Sequence, residues 1–138
     1  MRNIILTLLT ACCMNLTQAG VSIDGTRIIF PASSTSVGVQ VRNEFSTPAL
    51  VQTWIDNGNM NEIPPAEEIP FVISPPLSRV EPHQGQIIRV IQTGSPELPE
   101  DRESLFWFNL LDVPPDNPNF STQNLLSFTV RTRIKMFY

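Results

Sequence analysis

The sequence predicts an all-β fold, a sandwich of short strands in a single domain. Thirteen prolines among 138 residues, with frequent Ser, Thr and Asn, argue against long helices. Short runs rich in β-branched and aromatic residues recur along the chain and are separated by turn residues. No apolar stripe follows the 3.6-residue period of an amphipathic helix. These three observations together favour strands over helices throughout.

Seven runs account for the predicted strands. They cover residues 21–30, 37–41, 49–55, 71–74, 86–92, 104–113 and 125–138. The first run ends at Pro31, and the third is closed by the turn Asp56-Asn57-Gly58. Seven strands at this spacing predict an immunoglobulin-like seven-stranded β-sandwich. Trp54 fits the buried core tryptophan of such sandwiches, and Trp107 is interpreted in the same way.

Residues 1–19 have the pattern of a secretory signal peptide, so the predicted domain covers residues 20–138. A short basic start precedes the apolar residues 4–11, and Ala19 is a small residue before the expected cleavage point. The apolar run is too short to span a bilayer, so no membrane span is expected in the mature form. Two alternatives stay open: a buried N-terminal helix or strand, and a lipoprotein box that would lipidate Cys12.

The composition gives little support for catalysis or for a cofactor. Cleavage after Ala19 would remove both cysteines, and a domain with His83 as its one histidine lacks the ligands of the usual zinc sites. No phosphate-binding glycine loop or serine elbow is present. A net charge of −4 is unfavourable for nonspecific nucleic-acid binding. We expect no catalytic residues, no metal site, no cofactor and no nucleic-acid partner.

The last strand carries the most informative pattern. Leu126, Phe128 and Val130 alternate with polar residues, which places the three apolar side chains on one face. That face either packs into the domain's own core or extends beyond it and is offered to another protein, since an exposed apolar edge strand otherwise aggregates. Lys135 has the opposite parity. Either a bulge intervenes, or the strand presents its other face there.

Arg27 and Lys135 form a second candidate site. The first and last strands of immunoglobulin-like domains can lie side by side, which would bring these two cations together. Two neighbouring cations repel each other, and a carboxylate between them relieves that repulsion. The alternative is a pair of independent, solvated surface charges.

Four ordered segments of this chain resemble PapD-like periplasmic pilus chaperones. They are residues 21–30 (VSIDGTRIIF), 74–82 (SPPLSRVEP), 98–115 (LPEDRESLFWFNLLDVPP) and 126–138, which ends in RTRIKMFY. The resemblance spans nearly all of residues 20–138 and implies the N-terminal immunoglobulin-like domain of such a chaperone. It also implies a periplasmic location.

The resemblance further implies a mechanism of donor-strand complementation. The chaperone's last strand fills the open groove of a pilus subunit before the subunit is delivered to an outer-membrane usher. Leu126, Phe128 and Val130 match the groove-filling residues, and Arg27 and Lys135 match the cations that bind the subunit's C-terminal carboxylate. The short connection at residues 114–124 resembles that of chaperones for rod-like pili.

One large departure from the family accompanies the resemblance. The family has two such domains, and the resemblance predicts only the first of them for this sequence. Glu103 matches a buried acid that contacts the domain junction in the family. A truncated, inactive fragment and a structural or adhesive immunoglobulin-like surface module therefore remain as alternative interpretations.

Overall fold

A computed structural model describes residues 20–113 and 128–138, which form two β-sheets packed face to face. The strands are β1 (Val21–Ile23), β2 (Arg27–Ile29), β3 (Ser36–Asn43), β4 (Ala49–Asp56), β5 (Phe71–Ser74), β6 (Leu77–Val80), β7 (Gly85–Gln92), β8 (Leu105–Val113) and β9 (Val130–Phe137). One 3₁₀ turn, Ala66–Glu68, lies between β4 and β5. No helix in this described part is long and apolar enough to cross a membrane.

The strands divide into a four-stranded sheet in the order β1-β3-β7-β5 and a five-stranded sheet in the order β2-β9-β8-β4-β6. All pairs are antiparallel except β2 with β9, which run parallel. Alternate residues of the strands face inward and form one apolar core between the sheets. The predicted immunoglobulin-like sandwich is confirmed.

The first predicted run is divided between the two sheets. β1 pairs with β3, and β2 pairs with β9 on the other side of the sandwich. The chain crosses over through Gly25, which has a φ of 105°, a conformation that side chains other than glycine rarely adopt. One further strand, β6, forms within the proline-rich segment and completes the edge of the five-stranded sheet. The crossover brings Arg27 to the last strand.

The prediction that Trp54 and Trp107 pack in the core is wrong. Val51, Thr53 and Ile55 are the inward-facing residues of β4, so Trp54 lies on the outer face of the five-stranded sheet. Both tryptophans are half-buried there, beneath side chains of β9. The core instead contains phenylalanines, including Phe30, Phe71 and Phe106, with Phe71 packing 5.1–5.2 Å from the other two rings.

Several predictions fall outside the described residues. They are the signal peptide at residues 1–19 with Cys12, the connection at residues 114–124, and Leu126. These stay predictions from the sequence.

Candidate functional site

β9 lies between two strands at its C-terminal end and beside only one at its N-terminal end. Its pairing with β8 is unbroken from Val130 opposite Asp112 to Phe137 opposite Leu105. Pairing with β2 covers only the stretch from Lys135 to Phe137. Among the described residues, no strand pairs with residues 130–134 on the side away from β8. Those residues form an open sheet edge, a place where another chain can add a strand.

The apolar residues at the start of this edge are exposed. Phe128 is 72% exposed and Val130 is 58% exposed. Further along the same face, Ile134 is partly buried and Met136 is fully buried in the core. The inward-facing row of the strand therefore runs from exposed Phe128 and Val130, at the end that has a neighbouring strand on one side only, to fully buried Met136.

The regular pairing also decides the question of parity. Because the β8–β9 register has no bulge from Val130 to Phe137, Lys135 lies on the opposite face of the strand from Val130. The apolar residues follow the inward face, and Lys135 belongs to the outer face.

Arg27 and Lys135 are brought together by the parallel pair of β2 and β9, in which they occupy directly opposed positions. Both residues are exposed. The Nζ atom of Lys135 lies 5.6 Å from the centre of the Trp107 ring, a cation–π distance that holds the side chain against the sheet. The two cations therefore flank the point where the open edge of β9 ends.

A cluster of four polar residues, Asp56, Asn109, Arg131 and Arg133, lies beside this pair on the outer face of the five-stranded sheet. Arg133 binds both carboxylate oxygens of Asp56, donating from Nη2 to Oδ1 at 2.6 Å and from Nε to Oδ2 at 3.1 Å. Its guanidinium also lies 4.0 Å from the centre of the Trp107 ring. A two-point ion pair on an aromatic face restricts the side chain far more than a single contact would.

Arg131 is fixed by the same cluster. Its Nη2 and Nε donate to Oδ1 of Asn109 at 2.7 and 3.0 Å, and its Nη1 donates to the carbonyl of Met60 at 2.6 Å. Asn109 in turn donates to Oδ2 of Asp56 at 2.7 Å. The guanidinium of Arg131 lies 4.9 Å from the Trp54 ring centre. Together these contacts hold the outer face of β9 against β8 and β4.

The charge state of Asp56 follows from opposing effects. Burial raises the pKa of this carboxyl, because the charged form loses water. Hydrogen bonds from Arg133, Asn109 and the Gly58 N–H, with the charge of Arg133, outweigh burial and set the pKa below its ordinary value. Asp56 is therefore a stable anion at the centre of the cluster.

Sequence reasoning missed this cluster, although part of its signal was visible. Arg131, Arg133 and Lys135 share one parity and therefore one face of the strand. The sequence indicates only a turn at Asp56, and Asp56 does accept a hydrogen bond from the Gly58 N–H at 2.8 Å. The pairing of strands distant in sequence was needed to show that it also binds Arg133, 77 positions later.

Glu103, which the resemblance places at a domain junction, is exposed two residues before β8. Its neighbour Ser104 exchanges two backbone hydrogen bonds with Tyr138, at 2.9 and 3.0 Å. Glu103 therefore lies at the end of the sheet where β9 also ends. Within residues 20–113 and 128–138, no group of acidic, His or Cys residues has the arrangement of a metal site.

The fold and the site together define an immunoglobulin-like sandwich whose last strand keeps an open edge beside a pair of cations. The chain belongs to the family of pili and flagellar-assembly chaperones, whose PapD N-terminal domain matches residues 20–138. This agrees with the resemblance found in the sequence.

Individual relatives support the family assignment. The chain is 47% identical over 131 residues to the chaperone protein HifB of Haemophilus influenzae, covering 93% of this chain and 54% of that protein. It is 45% identical over 122 residues to the probable fimbrial chaperone YadV of Escherichia coli (strain K12), covering 87% of this chain and 50% of YadV. The chain thus spans about half the length of the curated relatives it matches.

Solved structures agree with these relatives. The crystal structure of the YadV chaperone superposes with a TM-score of 0.71 at 42% identity, covering 87% of this chain and 51% of that one. A complex of the Salmonella enterica SafA pilin with the SafB chaperone matches with a TM-score of 0.72 at 29% identity, covering 89% of this chain and 55% of the matched chain.

Proposed function

We propose that this chain is a periplasmic chaperone domain that binds pilus subunits by lending them β9. The observation that supports this most strongly is the open edge of β9 at residues 130–134, which begins at exposed Val130 and ends at the cations Arg27 and Lys135. An extended segment of a subunit would add to this edge through backbone hydrogen bonds. Family membership and the complex of the SafA pilin with the SafB chaperone support pilus subunits as the partner of this chain.

The positions of the cation pair and of the exposed apolar residues determine the direction of the subunit strand bound to β9. A terminal carboxylate held by Arg27 and Lys135 places the C-terminus of the subunit at the C-terminal end of the open edge. The subunit's last strand would then run parallel to β9, from the Phe128 end toward Lys135. Lys135 and Val130 are separated by about 17 Å at the usual rise of a strand. The carboxylate therefore sets the register at one end while apolar burial occurs at the other.

The apolar residues provide the larger part of the binding energy in this proposal. Burying Phe128 and Val130 in a subunit groove would contribute roughly 1.5–3 kcal/mol each, before the cost of ordering both partners. Leu126 has the same parity and would be the third groove-filling residue. Since aligned strands bury side chains only in the correct register, the cation pair and the apolar row act together.

The cluster of Asp56, Asn109, Arg131 and Arg133 has a supporting role in the proposal. It binds the outer face of β9 to its own sheet through Arg131 and Arg133 while leaving the backbone edge free. A strand offered to a partner must stay extended and remain part of the donor sheet. The cluster satisfies both requirements because it anchors side chains and not the edge.

The proposed function includes export of the chain and delivery of the bound subunit. Removal of residues 1–19 after Ala19 would release the domain into the periplasm, where a subunit is bound and then delivered to an outer-membrane usher. Glu103 would contact a second domain attached beyond Tyr138, because both residues lie at the same end of the sheet. Binding by strand addition requires no catalytic residue and no cofactor.

The decisive experiment is co-expression of the affinity-tagged chain, with its leader, and a pilus subunit from the same organism. We expect the subunit to co-purify from the periplasm, and hydrogen exchange to show protection of the backbone amides at residues 130–134. A subunit extended by two residues at its C-terminus removes the carboxylate from its expected position and should be retained poorly. Failure of the natural subunit to bind, or binding that leaves these amides unprotected, would overturn the proposal.

A further inference from the structure

Asp112 is a buried acid that the proposed binding mechanism does not use. It lies on the inward face of β8, opposite Val51 of β4 and Val130 of β9, and is 6% exposed. Its Oδ1 atom is fully buried and has no hydrogen-bond partner among the described residues. A buried carboxylate without a compensating charge is costly, so this position calls for a partner.

The candidate partner lies at the start of the domain. A Cβ atom placed on Gly20 would lie 3.1 Å from Oδ2 of Asp112 and 3.0 Å from the ring of Phe45. The backbone nitrogen of Gly20 is bonded to the same Cα atom. The carbonyl of Gly20 accepts a hydrogen bond from the Glu44 N–H at 3.3 Å, which holds this residue beside β3. Gly20 is therefore fixed next to the carboxylate, in a space where a larger side chain would be crowded.

We infer that the α-ammonium group created at Gly20 by removal of the leader is the ion-pair partner of Asp112. This inference rests on the leader removal included in the proposed function. Before cleavage, the nitrogen of Gly20 belongs to a peptide bond and carries no charge. Hydrolysis of the Ala19–Gly20 bond consumes one water, leaves a carboxylate on Ala19 and turns this nitrogen into an ammonium group beside Asp112.

The nearby arginines bind other groups, so none of them neutralises Asp112. Burial raises the pKa of Asp112, and the Val21 N–H, which donates to the carboxylate, opposes that rise only in part. Arg131 and Arg133 lie on the other face of the sheet, bound to Asn109 and Asp56. Glu44, the other acid near Gly20, lies 3.7 Å from Arg42. An ammonium group at Gly20 would neutralise the buried acid directly.

The ion pair would link export to the readiness of the donor strand. Asp112 lies opposite Val130, the first paired residue of β9. A charge pair there would stabilise the end of β8 that pairs with the start of β9. Maturation would thus strengthen the base of the binding edge only after the chain has left the cytoplasm.

The test uses the complete chain, exported and purified from the periplasm. Intact mass should show a mature protein that begins at Gly20. Trace acetylation as a function of pH then reports the pKa of each amine, and only two amines exist because Lys135 is the one lysine. We expect the α-amine to titrate about one pH unit above its ordinary value of about 7.7–8.0, because an adjacent carboxylate favours the charged form.

Two variants separate the ion pair from a general loss of structure. Asp112→Asn should return the α-amine to its ordinary pKa. Insertion of one serine between Ala19 and Gly20 displaces the amine, and should remove most of the effect that Asp112→Asn has on the urea midpoint. A different N-terminus, or an α-amine whose ordinary pKa is unchanged by Asp112→Asn, would overturn the inference.

Subunit retention, measured on the same preparations, distinguishes this inference from the proposed function. An unperturbed amine in a chain that still retains the subunit overturns the ion pair alone. A raised α-amine pKa in a chain that retains no subunit supports the ion pair and counts against the proposed function.

Discussion

Arg27 and Lys135 occupy directly opposed positions in the parallel pair of β2 and β9, although 108 positions separate them in the sequence. Their adjacency depends on the crossover at Gly25, which moves the chain from one sheet to the other. Two exposed cations held side by side form a natural site for an anion.

Replacing Arg27 or Lys135 with alanine should reduce subunit retention about tenfold or more. A hydrogen bond to a charged group contributes about 1.5–3 kcal/mol, and about 1.4 kcal/mol corresponds to a factor of ten. Both side chains are exposed, so the free energy of unfolding should change by less than about 0.5 kcal/mol. Arg89→Ala, at an exposed position of β7 in the other sheet, is the matched control. Normal retention of the subunit by both site variants in a pull-down would exclude binding of the subunit's terminal carboxylate by Arg27 and Lys135.

Replacing Phe128 with glutamate should abolish retention by a different route. A charged side chain cannot enter an apolar groove without a large desolvation cost. Because Phe128 is 72% exposed, the substitution should leave the thermal midpoint of the chain almost unchanged. Ile87→Glu is the control, since Ile87 is 60% exposed on the outer face of the four-stranded sheet. Equal losses of retention in both variants would mean that β9 has no special role.

Asp56→Asn should destabilise the fold strongly. The amide keeps the shape of the side chain but removes the charge that Arg133 binds through two hydrogen bonds and that Arg131 approaches to 3.7 Å. Breaking a buried ion pair in this way costs on the order of 3 kcal/mol. Urea unfolding measures the change, and Asp101→Asn, an exposed acid 3.4 Å from Arg102, should have almost no effect. A loss below 1 kcal/mol for Asp56→Asn would show that the cluster is weaker than its geometry indicates.

The same carboxyl should make stability depend on pH in the acid range. The folded state holds the pKa of Asp56 below its ordinary value of 3.8, so between the two values the unfolded chain binds more protons. The stabilisation is therefore complete above the ordinary pKa and is lost as the pH falls through the lowered one. The groups that face Asp56 are Arg131 and Arg133 from β9 and Asn109 from β8. Unfolding free energies measured across this range should decline less steeply for Asp56→Asn than for the parent chain, and parallel curves would contradict the prediction.

Much of the site could be predicted from the pattern of one strand. Alternation along the last run was sufficient to place Phe128 and Val130 on one face and Lys135 on the other, because successive side chains of a strand point in opposite directions. The same reasoning did not place Trp54. An apolar ring on a strand can lie on either face, and here Arg131 covers it on the outer one.

The local sequence pattern determined the fold class of this protein. Short extended runs, proline-rich connections and an alternating final strand are sufficient to predict a β-sandwich, because backbone preference and the alternation of side chains depend on near neighbours. Only the tertiary structure decided which strands meet. It set the crossover at Gly25 and the open edge at residues 130–134. It also brought Asp56 to Arg133 and Gly20 to Asp112, which are pairs of residues far apart in the sequence. Such contacts depend on sheet order and register, which the packing of the whole core selects.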